Sequence, residues 1–282
     1  MAKDLHIVRY FSSLITISEG RVIKVTEPGI SYCPLAGFFY KGLKTAGTIH
    51  AKKLKDEIKK VIEGKIARFG FCTKDRMVWD EDISVPYGAS ELMAHGLKNK
   101  SIDCAVTVCD GAGTVITDVP QIVQGIGARM HAVLETSFIP EVAVKLRRYG
   151  CYILEERGAI SQRTGVIEAA KRGFKKIAVT VSAFNGESIE GIRAAEKERE
   201  ISVTILIICT TGIKKSRLDE VEKYADIVWA CQSGDARNIL GKKAVKILPG
   251  ALPVYALTEK GNGLVSGYSP NIFGIRKAMA RS

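Results

Sequence analysis

The clearest hydrophobic feature of the chain is the apolar run at residues 203–208, which leads into the polar turn Cys209-Thr210-Thr211-Gly212. A short run with almost no polar interruption is typical of a strand buried on both faces of a parallel sheet. Residues 213–224 then place apolar side chains at helical spacing, with Ser216 as the predicted N-cap. We therefore predict a strand, a polar turn and a helix, which form one half of a βαβ unit.

The same pattern recurs through the second half of the chain. Predicted strands at residues 177–181 and 226–230 are each followed by a polar turn that contains Ser and Gly, and then by a helical pattern. A further predicted strand at 103–109 precedes them. Strands separated by helices at this spacing indicate an α/β fold with a doubly wound, mostly parallel, Rossmann-like sheet, which we predict for residues 101–282.

The first hundred residues have a different pattern, and we predict that they form a separate β-rich, α+β portion. Residues 14–18 and 21–26 read as two strands joined by Glu19-Gly20, which predicts a β-hairpin. The aromatic segment 32–40 is predicted either to cross the core or to form a contact surface.

A Lys-rich segment follows this hairpin. Residues 48–63 carry apolar side chains on one helical face, which predicts an amphipathic helix ending at Gly64. Residues 67–72 are then predicted to form another strand. This helix needs no role beyond covering the core of the N-terminal portion.

Composition narrows the classes of protein. Of 282 residues, 46% are hydrophobic and 26% are charged, as in an ordinary globular protein. The net charge is +12, but Lys and Arg occur in small groups along the whole chain and no nucleic-acid-binding module is recognisable. We interpret most of these groups as solvated helix faces and expect no specific nucleic-acid partner. An acidic partner or a phosphorylated ligand stays open.

The chain shows no sign of membrane insertion or secretion. No apolar run approaches the roughly 20 residues that span a bilayer, and Asp4, Arg9 and Ser12 interrupt the N-terminus where a signal peptide would be apolar. We therefore expect a cytoplasmic protein without a membrane partner. Its seven cysteines are an odd number without a C-x-x-C pair, which favours buried reduced thiols over a disulfide framework.

Several polar turns are predicted to share one edge of the sheet. Ligands of open α/β sheets bind outside the carboxyl ends of the strands, so the residues directly after the predicted strands form the candidate ligand site. They are Cys109, Asp110, Gly111, Gly113, Ser182, Asn185, Cys209, Thr210, Thr211, Gly212, Cys231, Gln232, Ser233, Asp235 and Arg237.

The residue types in these turns indicate the chemistry of the ligand. Hydroxyl-bearing and Gly-containing turns that open helices suit anions, because backbone N–H groups and the helix dipole point towards the ligand. Arg237 would add a bidentate charge. We therefore predict a small anionic ligand. The alternative is that these residues only cap helices and permit tight turns.

Familiar catalytic motifs are absent from the sequence. Asp110-Gly111-Ala112-Gly113 resembles half of a dinucleotide fingerprint, but Ile116 occupies the position of the third glycine, and a tight turn explains the glycines as well. There is no phosphate loop, no H-E-x-x-H and no G-x-S-x-G elbow. The sequence predicts no metal site and identifies no cofactor.

The second half of the chain resembles the archaeal methanogenesis marker protein 8 family. The segments that carry the resemblance keep their order and spacing over roughly the last two thirds of the chain. They are residues 109–114, 135–142, Gln162 with Gly165-Val166, 173–181, 210–213, 225–228 with Ala230-Cys231, and 253–258.

The resemblance implies a protein of an anaerobic archaeal cytoplasm, which suits reduced thiols, and an association with methyl-coenzyme M reductase. It implies a role in maturation or activation of the methyl-coenzyme M reductase system or in handling a methanogenic cofactor, with proteins of that system as partners. It supplies no reaction, so whether the chain is an enzyme stays open. The alternatives are a stand-alone enzyme acting on a phosphorylated or nucleotide-like substrate, and a metal-cluster protein using Cys109, Cys209 and Cys231.

Overall fold

Two β-sheets and the helices that cover them make up the described part of the protein. The computed structural model describes residues 4–30, 51–130, 132–250 and 252–270, so the aromatic segment 32–40 lies outside the described residues. The described strands are β1 (His6–Tyr10), β2 (Ser13–Ser18), β3 (Arg21–Val25), β4 (Cys104–Cys109), β5 (Gly113–Thr117), β6 (Ala132–Thr136), β7 (Tyr152–Ile153), β8 (Lys176–Ser182), β9 (Ser202–Ile208), β10 (Ile227–Trp229), β11 (Lys246–Leu248) and β12 (Val254–Ala256). The described helices are α1 (Ala51–Phe69), α2 (Ala89–Lys98), α3 (Pro120–Gly127), α4 (Pro140–Arg148), α5 (Gln162–Lys171), α6 (Ile189–Glu198), α7 (Lys215–Tyr224), α8 (Gly234–Lys243) and α9 (Glu259–Val265).

The smaller sheet has the antiparallel order β3-β2-β1-β6. The predicted hairpin is confirmed as β2 and β3, and its turn residues Glu19 and Gly20 have φ of 50° and 68°. Positive φ at both central residues matches the right-handed twist of the flanking strands. One face of the sheet packs against Leu54, Ile58 and Ile62 of α1.

Helix α1 continues beyond its predicted end. It passes through Gly64, ends at Phe69 and is followed by Gly70 with φ of 65°, so the predicted strand at 67–72 is wrong. The reason is that the spacing of four residues from Leu54 to Ile62 continues to Ile66, which also packs on the smaller sheet. An exposed Gly64 costs only about 1 kcal/mol in a helix, which this packing outweighs.

The larger sheet has the order β11-β12-β10-β9-β8-β4-β5-β7. Its centre is parallel, with β4, β8, β9 and β10 paired in chain order. The outer strands pair antiparallel on both sides. The mixed α/β class is confirmed, but the Rossmann-like arrangement is not, since the order of the parallel strands never reverses. Apolar periodicity does not encode strand direction, so the antiparallel strands β5 and β12 read like their parallel neighbours.

Both faces of the larger sheet are covered by helices. Ile177 and Val179 point to the face covered by α5, α6, α7 and α8, while the intervening Ala178 points to the face covered by α2, α3 and α9. The alternation follows the period of two of a pleated strand. Each β-strand of the parallel centre is therefore apolar at most positions, with one threonine inside each of β4, β8 and β9.

Helices α7 and α8 begin close to the predicted positions. The residue at the N-cap of α7 is Lys214, so the prediction of Ser216 is wrong; Ser216 lies inside the first turn. Ser233 is the N-cap of α8, where its Oγ accepts a hydrogen bond from the Ala236 N–H at 3.2 Å.

The smaller sheet lies beside the carboxyl ends of the parallel strands. Strand β1 pairs with β6, with Arg9 opposite Ala132, although the two strands come from opposite sides of the predicted boundary near residue 100. That division into residues 1–100 and 101–282 stays a prediction. The Arg9 Nη2 donates to the Thr211 carbonyl at 2.5 Å, which ties β1 directly to the turn after β9.

Candidate functional site

A cavity of about 170 Å³ lies between the two sheets at the carboxyl ends of β4, β8, β9 and β10. The turn between β1 and β2, the first turn of α2 and the segment from the end of α3 to β6 complete its wall. Much of that wall is apolar, from side chains including Met93, Val108, Val133, Ile208, Trp229 and Leu252. A mostly apolar cavity with a few placed polar groups is the usual form of a small-molecule site.

Five of the residues predicted from the sequence line this cavity: Ser182, Asn185, Cys209, Thr211 and Cys231. They come together because β8, β9 and β10 are parallel neighbours whose carboxyl ends open on one edge. The turns after β9 and β10 are tied to each other by hydrogen bonds. The Thr210 Oγ1 donates to the Trp229 carbonyl at 2.7 Å, and the Gln232 N–H donates to Thr211 Oγ1 at 3.2 Å.

The predicted residues after β4 do not line the cavity. The chain reverses there into the antiparallel strand β5, so Gly111 and Gly113, with φ of 82° and 76°, serve a tight hairpin. The Cys109 Sγ is fully buried and donates to the Asp110 carbonyl at 3.3 Å. The Asp110 carboxylate is also fully buried and accepts from Arg76 Nε at 2.8 Å. In this region the polar residues hold the fold together.

The predicted residues at the start of α8 face away from the cavity. Ser233 caps the helix and Asp235 is exposed in its first turn. The Arg237 Nη2 donates to the Cys231 carbonyl, so this guanidinium braces the turn behind the cavity wall. Gly212 has φ of 75° and allows the turn after β9 to close. Among the described residues that line the cavity, the arginine without a carboxylate partner is a different residue.

That residue is Arg9, which the sequence-based prediction missed. Strand β1 alternates, so that Val8 and Tyr10 pack towards α1 while Arg9 points to the cavity. The side chain is only 7% exposed. The sequence signal for Arg9 was an arginine among the mostly apolar residues of β1. No local feature of the sequence indicated that its side chain would face the end of the larger sheet.

The Arg9 guanidinium has unusual surroundings for a buried cation. It donates to the Thr211 carbonyl, and its Cζ lies 3.7 Å from the centroid of the Phe184 ring. Among the described residues, no carboxylate forms an ion pair with it. Burial lowers the pKa of Arg9, and the neighbouring thiols of Cys209 and Cys231 act in the opposite direction. The site therefore holds positive charge that the described protein does not neutralise.

The first turn of α2 supplies the opposite wall of the cavity. Its acidic residue, Glu91, already accepts hydrogen bonds from other groups of the protein. The Glu91 carboxylate accepts hydrogen bonds from the backbone N–H groups of Ser84 and Val85 at 2.9 and 3.2 Å. It also accepts from Ser90 Oγ and Gln124 Nε2. Glu91 thus fixes the loop before α2, and its location at a helix N-terminus is favourable for its charge.

Strained backbone is concentrated around the cavity. Among the described residues, ten other than glycine have positive φ, and half of them line this cavity: Phe11, Ser12, Arg129, Cys209 and Cys231. Each such residue costs roughly 1–2 kcal/mol relative to an ordinary conformation. Strain of this kind clusters at ligand sites, where the fold maintains it to aim a side chain. This clustering of positive φ angles around the cavity is independent of the charge of the cavity.

The two thiols of the cavity differ from the other described cysteines. Cys72, Cys104, Cys109 and Cys151 are buried away from the cavity, whereas Cys209 and Cys231 are partly exposed. Burial raises the pKa of Cys209, while the Arg9 guanidinium and a hydrogen bond from the Ala132 backbone oppose that rise. Within residues 4–30, 51–130, 132–250 and 252–270, no three His, Cys, Asp or Glu side chains converge in a way that would hold a metal ion.

None of the helices in the described ranges is both long enough and apolar enough to cross a membrane.

Comparison with known proteins places the chain among archaeal proteins. The chain is 38% identical over 264 residues to the uncharacterized protein MJ0054 of Methanocaldococcus jannaschii, an alignment that covers 93% of this chain and 89% of that protein. A family model described as an uncharacterized protein conserved in archaea (DUF2099) matches residues 6–267 and so includes Arg9, Cys209 and Cys231. The chain belongs to this conserved archaeal family.

Proposed function

We propose that the protein binds a small organic anion in the cavity, with the anionic group on the Arg9 guanidinium and the rest of the molecule against the apolar wall. The observation that carries the proposal is the buried Arg9, which faces a cavity and has no carboxylate partner among the described residues. Burying a charge costs several kcal/mol unless an opposite charge or hydrogen bonds compensate for it. A bound anion supplies that compensation.

Arginine cannot relieve the cost by losing its proton, because the guanidinium stays charged at any physiological pH. Its planar donors match the oxygens of a carboxylate, sulfonate or phosphate in a bidentate arrangement. One donor is engaged by the Thr211 carbonyl, which orients the guanidinium plane. Ser182 and Asn185 lie on the same wall and supply neutral hydrogen-bonding groups.

The size of the cavity limits the ligand. A volume of about 170 Å³ is below the roughly 300–1,000 Å³ typical of pockets for drug-sized ligands, so it suits a small anion better than a whole nucleotide. The alternative of an enzyme for nucleotide-like substrates therefore receives no support from the geometry. The metal-cluster alternative has no support either, since Cys109 lies apart from the other two thiols.

We place this binding activity in methanogenesis, on the resemblance to the methanogenesis marker protein 8 family. In that setting the ligand is a small methanogenic cofactor or a precursor of one, and the protein supports maturation or activation of the methyl-coenzyme M reductase system. An anaerobic pull-down from the native archaeon tests this part separately. Recovery of methyl-coenzyme M reductase proteins supports it, and their absence under conditions that recover a known partner pair contradicts it.

The binding proposal is tested by calorimetric titration of the purified protein with butyrate, methanesulfonate and inorganic phosphate. We expect at least one of these probes to bind wild type, Arg9→Lys to bind it several-fold more weakly, and Arg9→Met to lose binding. Arg147→Met is the matched control, because it removes an equal charge from the exposed pair with Glu156. If none of the probes binds wild type, or if Arg9→Met binds as wild type does, the proposal is wrong.

A further inference from the structure

Two thiols share the cavity with the Arg9 guanidinium. Cys209 follows β9 and Cys231 follows β10, and both side chains belong to the cavity wall. Both thiols lie close enough to Arg9 to influence the pKa of its guanidinium. The cavity therefore combines the Arg9 guanidinium with two sulfur atoms, and anion binding uses only the guanidinium; Arg129, which also lines the cavity, is paired with Asp80.

The register of the strands indicates that the two cysteines are close neighbours. Val228 pairs with Ile207 in the last recorded pair, and continuing this register by two residues brings Cys209 level with Ala230, the residue directly before Cys231. Neighbouring strands lie about 4.8 Å apart and successive residues about 3.3 Å, which puts the two Cα atoms roughly 6 Å apart. Disulfides form at Cα separations of about 4.4–6.8 Å. The hydrogen bond from the Gln232 N–H to Thr211 Oγ1 keeps the two turns together.

The backbone at both cysteines is left-handed, with φ of 59° at Cys209 and 33° at Cys231. Glycine would adopt this conformation without the steric cost, and a regular strand would turn alternate side chains to opposite faces. The positive φ instead interrupts the alternation at the strand ends, and both side chains line one cavity. Both cysteines whose side chains line this cavity therefore have strained backbone.

We propose that Cys209 and Cys231 form a dithiol pair that reduces a small disulfide whose anionic group is held by Arg9. The inference rests on the proposed function, because Arg9 positions the ligand, and it adds the chemical class of the substrate. The anionic group on the guanidinium brings the sulfur–sulfur bond of the ligand to the end of the cavity where the two cysteines lie.

The reaction is a two-step exchange in which the protein supplies both electrons. The thiolate of one cysteine attacks a ligand sulfur, which forms a mixed disulfide and releases the other half of the ligand as a thiolate. The second cysteine attacks the mixed disulfide, which forms the Cys209–Cys231 bond and releases the remaining half. The protons of the two cysteine thiols end on the two released thiols, so the ligand is reduced and the cysteine pair is oxidised.

Cys209 has the contacts that a first nucleophile needs. Burial raises the pKa of Cys209, and Arg9 and the Ala132 backbone, which both favour its thiolate, offset part of that rise. Cys231 lies next to it on the neighbouring turn and is in place to resolve the intermediate. Cys109 is the contrasting case, because burial and Asp110 both raise its pKa and it faces a closed core.

The test uses the full-length protein, reduced under anaerobic conditions and mixed with dithiodiacetate. Peptide mapping by mass spectrometry should find wild type with a Cys209–Cys231 disulfide and two released thiols per chain. Cys231→Ser should stop at a mixed disulfide on Cys209. Cystamine, a disulfide of opposite charge, should react at least tenfold more slowly with wild type, and Arg9→Met should reduce that preference to about one.

Adipate separates this proposal from the anion-binding proposal, since it has the shape of dithiodiacetate without sulfur. If adipate binds through Arg9 but dithiodiacetate yields no Cys209–Cys231 bond, the redox proposal is wrong and the binding proposal stands. If dithiodiacetate and cystamine react equally fast with wild type, Arg9 does not position the disulfide and the redox proposal is wrong, whereas the binding proposal is decided by adipate. A mixed disulfide that persists in wild type also overturns the dithiol mechanism.

Discussion

Two buried arginines of this protein are balanced in different ways. Arg76 is 1% exposed and donates to the Asp110 carboxylate at 2.8 Å, to the Ile126 carbonyl at 3.0 Å and to the Met77 carbonyl. Arg9 is 7% exposed and donates to one backbone carbonyl, with a cavity on its other side. The first arginine completes the core, whereas the second carries a charge that no carboxylate among the described residues balances.

The difference shows why burial alone does not identify a functional charge. Burial acts to lower the pKa of both arginines, but Asp110 reverses that effect at Arg76, while at Arg9 two thiols compensate only in part. Asp110 also accepts from the Cys72 N–H at 2.6 Å, so its lone pairs are used within the protein. Asp110 was a predicted ligand residue, and the structure gives it a structural role.

The largest expected effect on stability concerns the paired arginine. Asp110→Asn leaves the Arg76 charge buried without its partner, and loss of one member of a buried ion pair costs about 3–5 kcal/mol. Arg9→Met should destabilise the protein by no more than about 1 kcal/mol, because removal of the desolvated charge offsets the loss of one hydrogen bond. Urea denaturation measures both. Equal destabilisation by the two variants would contradict the distinction between the two arginines.

Lys65 represents a third way to bury a cation. Its amine is buried, donates to the Arg129 carbonyl and has its pKa lowered from 10.5 to about 7 by burial and by the Arg129 charge. Unlike arginine, lysine can lose its proton. Above neutral pH the buried Lys65 amine is therefore mostly uncharged.

The lowered pKa of Lys65 predicts how stability depends on pH. Between about pH 7 and pH 10.5 the unfolded chain binds this proton and the folded chain does not, so stability should rise with pH across that window. Lys65→Met should remove up to a few kcal/mol of that rise, at about 1.4 kcal/mol per pKa unit. Urea titrations at several pH values measure the slope. An unchanged slope in Lys65→Met, with exposed Lys60→Met as the control, would rule out the shifted pKa.

The next effect separates Arg9 from Arg237 as the anion partner. At a ligand concentration of about 100 times Kd, a bound anion should stabilise wild type by roughly 2.7 kcal/mol. Arg9→Met should abolish this stabilisation, and Arg237→Met should retain most of it, since Arg237 braces the Cys231 carbonyl from behind the wall. Thermal unfolding with and without the probe anion that binds wild type compares them. The reverse ranking would restore the original assignment to Arg237.

The smallest effect concerns the strained cysteines. Cys209→Gly relieves a positive φ worth about 1–2 kcal/mol but adds backbone freedom to the unfolded chain worth about 1 kcal/mol, so the net change should be small. Cys109→Gly removes a fully buried side chain from a regular strand and should destabilise the protein by at least 1 kcal/mol more. Equal losses in the two variants would indicate that the φ of Cys209 carries no strain.

Much of the central sheet followed from local patterns. The apolar runs of β8 and β9 were long and unbroken enough to be recognised, and their turns fell on one edge because both strands are parallel. That edge brought Ser182, Asn185, Cys209, Thr211 and Cys231 to the cavity, as the parallel arrangement requires.

The rest depended on contacts that no local pattern encodes. Gly111 and Gly113 belong to an antiparallel hairpin, and a strand followed by a Gly-rich turn reads alike whether the chain continues into a helix or reverses. Arg9 comes more than 200 residues before Thr211, and only the docking of the smaller sheet brings them together. The first turn of α2 reaches the site for the same tertiary reason. The sequence could therefore predict one wall of the cavity but not the wall that carries its charge.

The most direct test of the central claim is a crystal structure of wild type soaked with bromobenzoate, whose bromine is located by anomalous scattering. We predict the carboxylate within about 3 Å of the Arg9 guanidinium nitrogens, with the bromine among the apolar side chains near Trp229, and no bound ligand in Arg9→Met crystals. Ligand bound away from Arg9, or bound equally in the Arg9→Met crystals, would contradict the account.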